Sequence, residues 1–78
     1  LLVVKLSIVV PCFNEQAVLP ETARRLDLLL SDLVERKRVA TNSQVWFVDD
    51  GSRDDTWRLI ERFSAESARF AGVRLSRN

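Results

Sequence analysis

The sequence predicts an α/β fold, part of a doubly wound parallel sheet in the order strand, helix, strand, helix, strand. Three observations carry this expectation. Two short, mostly apolar runs, residues 6–10 and 44–48, read as strands, and the first, near-continuous and β-branched, suits a strand covered on both faces. Each is followed by apolar residues recurring at three- and four-residue steps, the mark of an amphipathic helix. Each strand also runs into a polar, acidic turn, Pro11-Cys12-Phe13-Asn14-Glu15 and Asp49-Asp50-Gly51-Ser52. In an open parallel sheet such turns line the crevice where ligands bind.

In the first strand Ser7 is the only polar member, and Pro11 is expected to end it, because proline donates nothing to a sheet ladder. The first helix is expected over residues 20–37, with Pro20 in its first turn, where a missing N–H costs nothing. Ala23, Leu26, Leu30, Leu33 and Val34 form its stripe. Leu28 and Leu29 widen that stripe and predict cover on a second side, while Glu21, Arg24, Arg25, Asp32 and Glu35 lie opposite. Residues 38–43 make a polar connection to the second strand.

Ser52 with Asp55 three residues on fits a capping box and places the next helix start near residue 53. Thr56, Leu59, Ile60 and Phe63 then form its buried stripe, with Trp57 at the edge. Gly72 is expected to precede a short third strand, Val73-Arg74-Leu75. Right-handed crossovers order the strands third, second, first. The first strand is then left as an uncovered apolar edge. The chain begins without methionine and stops just after its last strand, so it is expected to be a piece of a longer protein.

At 78 residues the chain is at most one small domain. A domain of this size buries only about 60% of its unfolded surface. It has one cysteine, Cys12, and no histidine, so neither disulfides nor a structural zinc site support it. Twelve basic and eleven acidic residues give a net charge of +1, which argues against nucleic-acid binding through a basic face. The basic cluster Arg36-Lys37-Arg38 falls where a helix should end and there complements its dipole. No segment reaches the roughly 20 apolar residues a membrane span takes. A lone cysteine fits a reducing compartment, and the expected location is cytoplasmic.

The acidic turns set the chemistry. Adjacent Asp49 and Asp50 at a strand end point in different directions and so serve different partners. A carboxylate there can accept hydrogen bonds from a base N–H or ribose hydroxyls, hold a divalent metal, or simply organise the turn with Gly51. Asn14 and Glu15 carry the same two readings, turn chemistry or ligand handle. Phe13 is either a core ring or a flat surface for a nucleobase. Cys12 reads as a small buried hydrophobe, since no histidine is present to activate it. Neither a G-x-x-x-x-G-K-[ST] loop nor a G-x-G-x-x-G turn occurs, which excludes the common phosphate cradles.

Ser7-Ile8-Val9-Val10-Pro11-Cys12-Phe13-Asn14-Glu15 and Val48-Asp49-Asp50-Gly51-Ser52-Arg53-Asp54-Asp55-Thr56 together resemble the start of the family 2 glycosyltransferases of GT-A fold. Leu75-Ser76-Arg77-Asn78 is similar to the beginning of that family's next turn. The pattern looks nearest to polyprenyl-phosphate sugar transferases of the dolichol-phosphate mannose synthase and bactoprenol glucosyltransferase kind. The resemblance implies that residues 1–78 are the nucleotide-sugar-binding segment of an enzyme moving a sugar from a nucleoside diphosphate to an acceptor such as a polyprenyl phosphate. By the resemblance, Pro11, Phe13, Asn14 and Glu15 meet the nucleotide, and Asp49 and Asp50 contact base and ribose. Many relatives carry tyrosine where this chain has Phe13.

The family's metal-binding D-x-D motif, for magnesium or manganese, has no counterpart in Asp49-Asp50 or Asp54-Asp55. This segment is therefore expected to hold neither the metal site nor catalytic residues and to be inactive alone. The longer enzyme is expected at the cytoplasmic face of a membrane. Two other readings remain at this point. One is a non-catalytic α/β interaction domain whose acidic turns only organise helices. The other is a receiver-type signalling module, which places its acidic pair after the first strand rather than the second. The donor-binding reading requires both turns to meet at one rim of the sheet.

Overall fold

A computed structural model describes residues 3–75, so the expectation resting on Ser76, Arg77 and Asn78 lies outside the described residues. The elements are β1 (Ser7–Cys12), α1 (Leu19–Glu35), β2 (Gln44–Asp49), α2 (Thr56–Glu66) and β3 (Phe70–Arg74). The three strands form one parallel sheet with β2 between β1 and β3, the order expected from right-handed crossovers. Cys12 stands in register with Asp49, and Asp49 with Arg74, so the three strands end together.

Both helices pack on the sheet face that carries Val45, Phe47 and Asp49. The core is Cys12 from β1, Leu19, Ala23 and Leu30 from α1, Val45 and Phe47 from β2, and Ile60 from α2. Phe47 sits at its centre, its ring 6.1 Å from that of Phe63 and 5.7 Å from that of Phe70. Gly72, in the middle of β3, lets α2 approach closely. A Cβ there would come within 2.3 Å of Ile60 Cγ2, well inside contact distance.

Several boundaries differ from the sequence reading. β1 runs through Pro11 to Cys12, because β1 is an edge strand and proline is tolerated where no ladder N–H is required. β3 begins at Phe70 and contains Gly72. The glycine marks a close approach inside the strand, and not its start. The strands are covered on one face only: Val9 is 63% exposed, although its run looked doubly buried. Leu28 and Leu29 are likewise exposed on α1, with nothing packed on the second side they were expected to meet. α2 starts at Thr56, and no side chain caps its first turn in the way a Ser52–Asp55 box requires. Ser52 is engaged elsewhere.

Candidate functional site

At the carboxyl ends of β1 and β2 the chain leaves the sheet in two turns, residues 13–18 and 50–55. Both helices start at this rim, so their positive dipole ends face it. The first turn needs a left-handed residue, supplied by Asn14 at φ 50°, and the second uses Gly51 at φ 81°. Asparagine reaches this conformation more readily than most side chains, which explains the residue type at 14.

The two turns are locked together. Three successive backbone N–H groups of the first turn donate to side chains of the second turn and of Thr56, the first residue of α2. Asn14 N donates to Ser52 Oγ at 2.8 Å, Glu15 N to Thr56 Oγ1 at 2.8 Å, and Gln16 N to Asp54 Oδ2 at 3.3 Å. Two bonds return: Arg53 N donates to Asn14 Oδ1 at 2.9 Å, and Asp55 N to Gln16 Oε1 at 3.0 Å. Asp50 N donates to Cys12 O at 2.9 Å, closing the base of the assembly. Successive N–H groups beside a left-handed residue commonly form an anion-binding concavity. Here their donors are already taken by side-chain oxygens.

The predicted residues divide by exposure. Pro11, Phe13 and Asn14 are exposed, Glu15 and Asp50 are partly buried, and Asp49 is fully buried. Asp49 accepts from Ser52 twice, from its backbone N at 3.3 Å and from its hydroxyl. Arg74 Nε lies 3.9 Å from Asp49 Oδ2, and its guanidinium rests over the Trp57 ring. Adjacent Asp49 and Asp50 thus have different surroundings, as strand alternation requires. Glu15 and Asp49 do meet at one rim: Cys12, in register with Asp49, feels the negative charge of both.

Sequence reading missed Ser52, Asp54, Thr56 and Gln16 as site-forming residues. Ser52 resembled a helix cap and Thr56 an ordinary member of an apolar stripe. The available signal was polar: a buried threonine hydroxyl must find partners. Thr56 finds them in Glu15 N and Asp54, and its Oγ1 donates to Asp54 Oδ1 at 2.5 Å. The bond from Thr56 holds the Asp54 carboxyl below its usual range.

Cys12 is buried beneath this rim. Burial, and then the charges of Glu15 and Asp49, push its thiol up to about 11. Its Sγ donates to Val10 O at 3.4 Å, so it behaves as a core residue. At pH 8 the folded chain should react with iodoacetamide about a hundredfold more slowly than the urea-unfolded chain, because thiolate is the reactive form. Equal rates measured by mass spectrometry would contradict the buried placement.

Among the described residues, no three Cys, Asp or Glu side chains gather as metal ligands. The Asp49 carboxyl turns inward onto Ser52, so the acidic pair does not fit a divalent ion. A hollow of about 400 Å³ lined by Lys5, Ser43, Gln44, Ser67 and Arg69 lies at the opposite end of the strands. Three of its polar side chains serve the backbone: Ser43 Oγ accepts from Leu6 N, Gln44 donates to Ala68 O, and Ser67 Oγ accepts from Arg69 N. Arg69 itself is held by Asp27 and Ser31 of α1. No helix among the described residues is long and apolar enough to cross a membrane.

Comparison with known proteins agrees with this architecture. The model of the family described as glycosyl transferase family 2 matches residues 7–78. The chain is 47% identical over 73 residues to "Uncharacterized glycosyltransferase YkoT" of Bacillus subtilis (strain 168), covering 94% of this chain and 22% of that protein. It is 38% identical over 75 residues to "Undecaprenyl-phosphate 4-deoxy-4-formamido-L-arabinose transferase" of Klebsiella pneumoniae subsp. pneumoniae, covering 95% and 21%. The protein of that name from Pseudomonas fluorescens (strain SBW25) is 40% identical over 73 residues, covering 92% and 20%. The chain therefore spans about a fifth of the length of these relatives. No solved structure matches it. With its parallel sheet, its paired acidic turns and a family match over nearly its whole length, the chain belongs to the family 2 glycosyltransferases.

Proposed function

We propose that this chain forms the nucleoside-binding face of a glycosyltransferase that moves a sugar from a nucleoside diphosphate donor to a polyprenyl phosphate. The observation that carries the reading is the locked pair of turns at one rim, which presents Phe13, Glu15 and Asp50 around a rigid base. Carboxylates at that rim attract hydrogen-bond donors and repel phosphates. They therefore suit a base N–H and ribose hydroxyls, with Phe13, 50% exposed, offering a ring for the base to lie against. Asn14 and Pro11 shape the same edge, and Asp49 holds the turn from below.

The first turn's N–H groups are occupied by Ser52, Thr56 and Asp54, so the diphosphate has to be bound elsewhere. A divalent metal, magnesium or manganese, belongs in this reading to residues outside the chain. The polyprenyl phosphate acceptor is supported by the names of the Klebsiella and Pseudomonas relatives. A cytoplasmic position at a membrane face follows from the same acceptor. In this reading the segment is a binding half without its own catalytic residues.

Titration calorimetry tests it. The chain should bind UDP or GDP with a Kd on the order of 0.1–1 mM, a few hydrogen bonds' worth of affinity. Asp50→Ala should weaken binding about tenfold, the loss of one good hydrogen bond. In NMR titration the shifted amides should cluster at residues 11–15 and 49–52. Absence of binding by both nucleotides, or shifts scattered away from the rim, would overturn the proposal.

A further inference from the structure

We propose that Ser52 is a positioning residue: its hydroxyl ties Asn14 N of the first turn to the Asp49 carboxyl beneath the second, and so sets how the nucleoside face is held. The inference rests on the donor-binding reading for its functional consequence, and on the geometry alone for the coupling. Ser52 is only 6% exposed, and among the described residues its Oγ bridges Asn14 N and the Asp49 carboxyl. It accepts from Asn14 N at 2.8 Å and donates to Asp49 Oδ1. Its own backbone N also points at the Asp49 carboxyl. A hydroxyl is the one small group that both accepts and donates, and this position uses both capacities.

The consequence reaches the ligand-facing groups. Asn14 is fixed from two sides, through its N by Ser52 and through its Oδ1 by Arg53 N, and it sits between Phe13 and Glu15. Asn14 also holds the left-handed φ of 50° that sets the direction in which the chain continues from Phe13 to Glu15. Without the Ser52 oxygen, Asn14 N would be a donor in a part-buried place with no acceptor, and the turn would reorient to satisfy it. Asp50, two residues before Ser52 in the other turn, would then face a misplaced partner. Ser52 touches no ligand in this arrangement. It sets where those that do are held.

The test uses the full chain, ¹⁵N-labelled, as parent, Ser52→Ala and Ser52→Thr. Two measurements are made: amide hydrogen exchange, and NMR titration with UDP and with GDP. In Ser52→Ala the Asn14 amide should exchange about tenfold faster, while Val45 and Phe47 in β2 stay within about twofold of the parent. The Kd for whichever nucleotide binds should rise about tenfold, and Ser52→Thr, which keeps the hydroxyl, should restore both readings to within about threefold. Unchanged Asn14 exchange in a folded Ser52→Ala chain overturns the coupling, and unchanged Kd overturns its role in binding.

Should β2 protection also collapse, Ser52→Cys answers instead, since its side chain is close in size and a thiol is a much weaker acceptor and donor. The Asn14 amide should then exchange about tenfold faster and the Kd should rise likewise; unchanged Asn14 exchange overturns the coupling, and unchanged Kd overturns its role in binding. If the parent binds neither nucleotide, the donor reading fails while the exchange measurement still decides whether Ser52 couples the turns.

Discussion

Phe47→Ala leaves the chain largely unfolded in buffer. Phe47 is fully buried, and its ring packs against those of Phe63 and Phe70, joining the middle of the sheet to α2 and β3. Truncating a buried phenylalanine costs about 3–5 kcal/mol, through lost burial plus the cavity left behind. A domain of this length has on the order of 4–12 kcal/mol in total. The low end applies here, because one face of the sheet contributes little burial. Val9→Ala is the matched control: Val9 is 63% exposed, and its loss should change stability by about 0.5 kcal/mol or less. Urea titration followed by fluorescence of Trp46 and Trp57 separates the two. A cooperative Phe47→Ala transition with a midpoint near that of the parent would show that the core is organised around some other residue.

The contrast between Phe47 and Val9 shows what was legible in the sequence. Strand identity and order were readable, because β-branched runs and crossover handedness need only local information and one topological rule. Which faces are covered was not readable. Ser7-Ile8-Val9-Val10 has the composition of a doubly buried strand, but both helices lie on one side, so Val9 and Ile8 have opposite fates. Composition reports what a strand tolerates, and the number of layers present decides what it receives. The same holds for Leu28 and Leu29, apolar residues on a helix face with nothing packed against it.

At the rim, sequence placed the turns correctly and misjudged the parts. Asp49, Asp50, Asn14 and Glu15 stood out because acidic and turn-forming residues after a strand are conspicuous. Ser52 and Thr56 did not, because a serine before a helix has a commoner explanation as a cap. Their actual partners, Asn14 N and Glu15 N, are 38 and 41 residues away in sequence. Nothing local to either turn announces that contact. Only the register of Cys12 with Asp49 brings the two turns near enough to exchange hydrogen bonds.

That register leads to the second large effect, a division of labour between neighbouring aspartates. Asp49→Ala should destabilise the chain by roughly 2–5 kcal/mol, because it strips the acceptor from two buried donors, the backbone N and the hydroxyl of Ser52. It also leaves the Arg74 guanidinium, 3.9 Å away, without the carboxyl it approaches. Asp49→Asn keeps one oxygen but sets an NH₂ group against donors, so it should recover no more than about half of the loss. Asp50→Ala, at a partly exposed position, should cost about 1 kcal/mol or less in stability, yet it should carry the roughly tenfold loss of nucleotide affinity. Urea midpoints and nucleotide titrations on the same three variants read out both axes. If Asp49→Ala proved as stable as the parent while Asp50→Ala unfolded, the roles would be reversed and the inward-turned carboxyl would not be what holds this rim. The expected pattern instead makes Asp49 the residue on which the shape of the turn depends, and Asp50 the one on which nucleotide affinity depends.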